Sequence, residues 1–255
     1  REMVKRSVAA ITDIYQNSIL KDSSRNSFMI KRMEDLADRT VWAMGEQLKC
    51  GDFVPFVFEH KFNMEVGDGD RKQLMSGTID RVDICENGTD VYVRIIDYKT
   101  GKKDFNIVKT YYGIDIQLMV YMEAAMKLVA KMRPGKNVIP AGVFYYNISD
   151  PIVSATTESA EEIEDKIKGE LRLKGMVNSD KDIAEKMDNT EGTSLNIPVS
   201  RKADGGFDSR RSKVMNTEQF NILGRFVDVR AIDTADRIVG GDIRRSPYKD
   251  GQFSS

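Results

Sequence analysis

Hydrophobic positions recur along this chain at two periods, and the switches between them outline its elements. Met3, Val4, Val8, Ile11, Ile14, Tyr15 and Leu20 follow helical spacing over residues 2–20. Phe28, Met29, Met33, Leu36, Val41, Trp42 and Leu48 predict a second helix over about 25–49, ended by Gly51 and Pro55. The stretch FVFEHKFNMEV (56–66) alternates like a strand, and GTIDRVDICENGTDVYVRIIDYKTG (77–101) reads as two more strands around an Asn-Gly turn. A third helix is predicted over about 112–131 and stops at Arg133-Pro134-Gly135. The apolar run VIPAGVFYYNIS (138–149) follows as a strand. This β-β-β-α-β order predicts that the last strand returns parallel through a crossover helix.

Beyond residue 151 the periodicity weakens. SAEEIEDKIKGELRLKG predicts a short charged helix, and residues 176–214 are polar and rich in Asp, Ser and Gly. A long final helix is predicted over 216–241, with Thr217 as its N-cap. The expectation is an α/β fold with a mixed central sheet flanked by helices. It forms one domain over 1–255, with a core of about 50–150 plus the terminal helix, and an irregular excursion at 151–215.

Composition narrows this picture. The 255 residues are 40% hydrophobic, enough for one sizeable core. Lys and Arg number 39 against 40 Asp and Glu, a net charge of −1, so any nucleic-acid surface must be a local basic patch. No apolar run approaches the ~20 residues of a membrane helix, and no signal peptide is visible, so no membrane role is expected and a cytoplasmic setting is. Two cysteines, Cys50 and Cys85, form neither a disulfide framework nor a complete metal motif. The sequence opens on Arg1 as if inside a helix, and reads as a fragment of a longer protein. It holds no GxxxxGK[ST] phosphate loop, so this stretch is not an ATP-driven motor.

The hairpin carries the chemistry. With Asn87-Gly88 as a two-residue loop, residue 86 faces 89, 84 faces 91 and 80 faces 95. One face then presents Thr78, Asp80, Val82 and Ile84 beside Val91, Val93, Ile95, Asp97 and Lys99. The other presents Ile79, Arg81, Asp83 and Cys85 beside Tyr92, Arg94, Ile96 and Tyr98. Asp80 and Asp97 become diagonal neighbours ~7–8 Å apart. Their carboxylates can converge on one ion at the ~2.0–2.1 Å that Mg²⁺ demands, with Lys99 on the same side. Two acids and a lysine at one end of an aliphatic sheet face suit phosphodiester hydrolysis. The bland reading is a solvated salt-bridge cluster at a strand end.

Asp80 followed by Asp97-Tyr98-Lys99 resembles the D…(D/E)xK pattern of the PD-(D/E)XK nuclease superfamily. GTIDRVD with VRIIDYKTG is similar to its RecB-type branch, and Gln117 and Tyr121 in GIDIQLMVYMEA resemble that branch's Q-x-x-x-Y motif. YYGIDIQLMVYMEA and GGDIRRSPYKDGQ resemble the AddB (RexB) family, the second subunits of AddAB helicase–nucleases. The resemblance implies a restriction-endonuclease-like fold. It implies metal binding by Asp80, Asp97 and the Tyr98 carbonyl, catalysis by Asp80, Asp97 and Lys99, and support from Glu59, Gln117 and Tyr121. The implied cofactor is Mg²⁺, with Mn²⁺ able to substitute. The implied partners are single-stranded DNA from an unwound duplex and the AddA helicase subunit, acting in double-strand-break repair and recombination. The family's upstream metal-ligand His has no match here, since His60 sits on the strand beside Glu59 and faces the other way. The family's 4Fe–4S cysteines match neither Cys50 nor Cys85, so a cluster is expected in the parent protein and not in this stretch.

Lys102, Lys103 and Tyr112 are further DNA-contact candidates because they follow the motif. Arg201, Lys202, Arg210, Arg211 and Lys213 form a local basic cluster that reads first as a solvated loop. Trp42 and the methionines of the third helix read as core. Two alternatives accompany the nuclease reading: a non-catalytic DNA-binding or scaffold domain of the same fold, and a chance resemblance, which predicts no convergence of the two carboxylates and would be supported by Asp80 and Asp97 on opposite sheet faces.

Overall fold

The computed structural model describes residues 1–14, 23–67, 72–154, 159–245 and 247. Two helices lead, α1 (Glu2–Ile14) and α2 (Ser24–Lys49), and pack on each other. The stretch of the first predicted helix beyond residue 14 lies outside the described residues. Ser23 caps α2, its hydroxyl accepting from the Asn26 N–H.

The sheet has six strands in the order β1 (Val54–Val66), β2 (Gln73–Asn87), β3 (Asp90–Lys99), β4 (Asn137–Asn147), β5 (Lys174–Asn178) and β6 (Val214–Met215). It is mixed: β1, β2 and β3 pair antiparallel, β4 lies parallel to β3, and β5 lies antiparallel to β4. The helices α3 (Ile107–Tyr111) and α4 (Gln117–Met132) make the expected crossover from β3 to β4. Val82, Ile84, Val91, Val93, Ile95 and Val143 meet α4 and the final helix α7 (Thr217–Val239) on one sheet face. Cys85, Tyr92, Ile96 and Phe144 meet α2 and α6 (Lys181–Met187) on the other.

Four expectations change. The hairpin loop is Gly88-Thr89, because Asn87 remains in the strand and pairs with Asp90. Gly88 has φ of +59°, the demand of a type II′ turn at its first loop position. The Asn87 amide donates to Tyr92 Oη at 3.2 Å and to Asp182 Oδ2 of α6 at 3.0 Å, which holds it in the ladder. Every cross-strand partner therefore moves by two residues, and the faces are preserved because the period is two.

The third predicted helix starts at Gln117 instead of 112, since Gly113 has φ of +76° and interrupts it. The separate short α3 precedes it, capped by Asn106, which accepts from the N–H groups of Val108 and Lys109. The final helix is capped by Asn216, with Gln219 closing a capping box. Thr217 instead accepts a 2.8 Å bond from Asn178 Nδ2.

Finally, residues 151–215 are not an irregular excursion. Beyond α5 (Ala160–Glu170) they return to the sheet as β5 and β6. They bury Leu171, Leu173, Val177, Ile183, Met187, Ile197 and Val199. Gly175 is required there, because a Cβ would lie 1.9 Å from the Val143 carbonyl oxygen. The polar residues that read as loop close on one another. The buried Asp188 carboxylate accepts from Ser194 Oγ, Asn196 Nδ2 and the Thr190 N–H. The half-buried Arg201 guanidinium bonds the carbonyls of Ala184, Asp188 and Thr190, so it is turned away from the basic cluster.

Candidate active site

Asp80 and Asp97 approach each other more directly than a diagonal pair. The ladder sets Val82 opposite Ile95 and Arg81 opposite Ile96, and one further step brings Asp80 level with Asp97. There the ladder ends, and Asp80 Oδ2 accepts a 2.7 Å bond from the Tyr98 N–H. The carboxylate takes up a strand donor that would otherwise be unpaired where β2 and β3 diverge. Both aspartates lie at one end of the aliphatic face under α4, and not on opposite faces.

Asp97 is buried, at 2% exposure. Lys99 Nζ forms an ion pair with its Oδ2 at 2.5 Å. Burial pushes the Asp97 carboxyl above its ordinary range, the ammoniums of Lys99 and Lys103 pull it back, and Asp80 adds to the rise. Tyr98 offers the site only its backbone, since its hydroxyl lies on the other face against Arg81 and Met44.

Beneath the motif, Arg81, Asp83 and Arg94 form a fully buried ion triad. Arg81 grips Asp83 through two bonds of 2.6 and 2.7 Å, and Arg94 reaches the same carboxylate from β3 at 2.9 Å. Sequence alternation placed these residues on one face but gave no sign that they were interior. The triad joins β2 to β3 from behind, beginning at Arg81 beside Asp80.

The supporting residues divide. Gln117 Nε2 donates to Tyr121 Oη at 2.9 Å, and the Tyr121 ring packs edge-on against Phe62 of β1. Glu59 stands at the level of Asp80, between the pairs Phe58↔Arg81 and His60↔Ile79. Its backbone is nevertheless left-handed, with φ of +49°, and its side chain is exposed. A non-glycine residue in that region is strained by about 1–3 kcal/mol. Among the described residues, no three His, Cys, Asp or Glu side chains are grouped so as to hold a metal ion, so Glu59 is not brought to the two aspartates.

Of the DNA-contact candidates, Lys102 is exposed, whereas Lys103 is tied in. Its backbone bonds the Asn147 amide in both directions, and its ammonium lies 3.3 Å from Asp115 Oδ1. Tyr112 is exposed and edge-on to Tyr111, which stacks on Phe226 of α7. Sequence reasoning passed over Asp115 and Tyr145. Asp115 is buried just before α4, and Tyr145 Oη donates to its Oδ1 at 2.7 Å. Tyr145 faces Asp97 across the β3–β4 pairing, a relation that no spacing within one segment reveals.

The donor set fits a hard divalent cation. Two carboxylates on adjacent strands, one of them buried, supply the one or two protein ligands that Mg²⁺ usually takes. A lysine beside them can meet negative charge on a phosphate.

The PD-(D/E)XK nuclease superfamily matches residues 2–252. The AddB subunit of an ATP-dependent helicase/deoxyribonuclease from Clostridium botulinum strain Hall is 36% identical over 248 residues, covering 93% of this chain and 21% of the relative. The protein of the same name from Caldanaerobacter subterraneus subsp. tengcongensis is 37% identical over 253 residues, covering 95% and 22%. That from Thermoanaerobacter sp. strain X514 is 35% identical over 245 residues, covering 92% and 21%. The chain thus spans about a fifth of the length of the curated relatives it matches.

Proposed function

The chain belongs to the PD-(D/E)XK nuclease superfamily, and from that premise we propose that it hydrolyses phosphodiester bonds of single-stranded DNA. The observation that carries this reading is the buried Asp97, level with Asp80 and in contact with Lys99. Asp80, Asp97 and the Tyr98 carbonyl would hold Mg²⁺ or Mn²⁺. When bound, such an ion polarises a phosphoryl oxygen and lowers the pKa of a water.

The side chains have separable roles. Asp80 holds the ends of β2 and β3 together through the Tyr98 N–H while keeping a carboxylate at the site. Asp97, screened from bulk water, interacts strongly with any cation placed beside it. Lys99 balances that charge and stands where it can orient a water or stabilise a developing oxyanion. Gln117 and Tyr121, bonded to each other at the start of α4, are the supporting pair. Lys102 and Tyr112, both exposed, are the residues proposed to touch a DNA strand.

The relatives' names support a helicase–nuclease as the setting. The proposed assembly is a cytoplasmic complex with an AddA-type motor subunit, which unwinds broken duplex ends for recombinational repair. A 4Fe–4S cluster would belong to the parent protein outside this stretch.

A second reading, a DNA-binding scaffold retaining the fold, draws on Glu59 standing away from the two aspartates. Cleavage of labelled single-stranded DNA with Mg²⁺ or Mn²⁺ separates the two. Activity abolished by both Asp97→Asn and Lys99→Ala establishes the nuclease. Binding without cleavage by the complete natural protein supports the scaffold. Cleavage that survives both substitutions refutes the site.

A further inference from the structure

Lys99 and Lys103 place their ammoniums over the same aromatic ring, 5.7 Å and 5.3 Å from the centre of Tyr145. The ring is fully buried, and its hydroxyl is fixed by Asp115 Oδ1. That same oxygen meets the Lys103 ammonium at 3.3 Å. The Asn147 amide fixes the Lys103 backbone from β4 on both its N–H and its C=O. A lysine side chain ordinarily wanders, with about 2 kcal/mol of rotamer entropy to lose on being held. Here backbone, ring and carboxylate all constrain it before a substrate arrives.

An ion pair alone would explain the contact with Asp115. It does not explain the placement. Asp115 is 4% exposed and already accepts a bond from Tyr145, whereas the Lys103 side chain is 41% exposed. An ammonium has three donors, and one carboxylate oxygen occupies one of them. The exposed part of the side chain leaves donors for a ligand beside Lys99.

We infer that Lys103, held by Asp115 and Tyr145, is a second phosphate-binding residue of the site. It would take a backbone phosphate next to the one cleaved beside Lys99. This inference rests on the nuclease reading and adds a requirement to it: the preferred substrate is a strand with consecutive phosphates, not an isolated phosphodiester. Both ammoniums lie within 5.7 Å of one ring centre, so a single strand passing the site can present neighbouring phosphates to the two. Asp115 and Tyr145 are positioning residues that act through Lys103.

The test compares two substrates of the complete natural protein: a labelled DNA oligonucleotide, and bis(4-nitrophenyl) phosphate, which has one phosphodiester and no neighbour. Lys103→Ala should raise KM for the oligonucleotide about ten-fold, and change its kcat and the hydrolysis of the small diester by no more than about three-fold, the effect of losing one ammonium near Asp97. The salt dependence of oligonucleotide KM should weaken by ~0.7 in log–log slope, the value of one single-strand phosphate contact. Lys103→Arg should restore most of the loss, and Asp115→Asn should raise oligonucleotide KM about three-fold. Lys136→Ala, at the β2–β3 turn end of the sheet, should match the wild type on both substrates. Equal losses on both substrates, or no loss on either, would overturn the inference while leaving the nuclease standing. A wild-type protein that cleaves neither substrate overturns both.

Discussion

The Asp80 carboxylate accepts a 2.7 Å hydrogen bond from the backbone N–H of Tyr98, the residue between Asp97 and Lys99. One side chain thus serves both as the clasp that ends the β2–β3 ladder and as an acid of the candidate site. The two roles can be separated. Asparagine retains an oxygen that can accept from the Tyr98 N–H, whereas alanine does not. Asp80→Asn should lose at least about 100-fold in cleavage and keep its thermal midpoint within a few degrees. Asp80→Ala should lose the activity and in addition about 1–2 kcal/mol of stability, read by urea unfolding.

Divalent ions should stabilise the folded chain through the same carboxylates. Mn²⁺ at about 100 times its dissociation constant contributes ~2.7 kcal/mol and raises the melting temperature. Asp97→Asn should abolish that rise, and chelation should reverse it in the wild type. An equal rise in both proteins would place the ion elsewhere.

Asp83 is the common partner of two buried guanidiniums. Its replacement by Asn leaves Arg81 and Arg94 without a counter-charge in the interior, at a cost of about 3–5 kcal/mol. Simultaneous replacement of all three by apolar residues of similar volume should recover much of that loss. If it does so while cleavage stays low, the triad contributes register at the Asp80–Asp97 level beyond bulk stability. Denaturant midpoints and cleavage rates, measured side by side, decide this.

The Asp228 carboxyl of α7 lies against the Glu123 carboxyl of α4. Burial, and then the Glu123 carboxyl beside it, push its pKa up to about 7. A raised carboxyl pKa means that the folded chain holds a proton which the unfolded chain has released. The penalty is absent below the ordinary carboxylate range, grows as pH rises and is complete above about 7. With allowance for partial exposure, it is on the order of 1 kcal/mol. Asp228→Asn should therefore raise the melting temperature more at pH 8 than at pH 5. A gain independent of pH would remove the titration from the explanation.

No helix among the described residues is long and apolar enough to cross a membrane, in keeping with the absence of a long apolar run. The period-two alternation in 77–101 determined more than the elements. It placed Asp80, Asp97 and Lys99 on one face, and that assignment survived a misplaced turn, because a shift of two residues returns each side chain to its own side. The crossover helix and the parallel return of β4 were also legible, since strand length and helical spacing are local properties.

Tertiary structure decided what depends on partners distant in sequence. Asn87 stays in the strand because α6, far along the chain, bonds it, and this sets Asp80 level with Asp97. Asp115 meets Tyr145 because β4 returns beside β3, and Asp188, Ser194 and Asn196 of the polar stretch after 178 become interior because they bond one another. Local sequence fixes which side of a strand a residue faces. What it meets there is set by chain segments whose arrival no local period encodes.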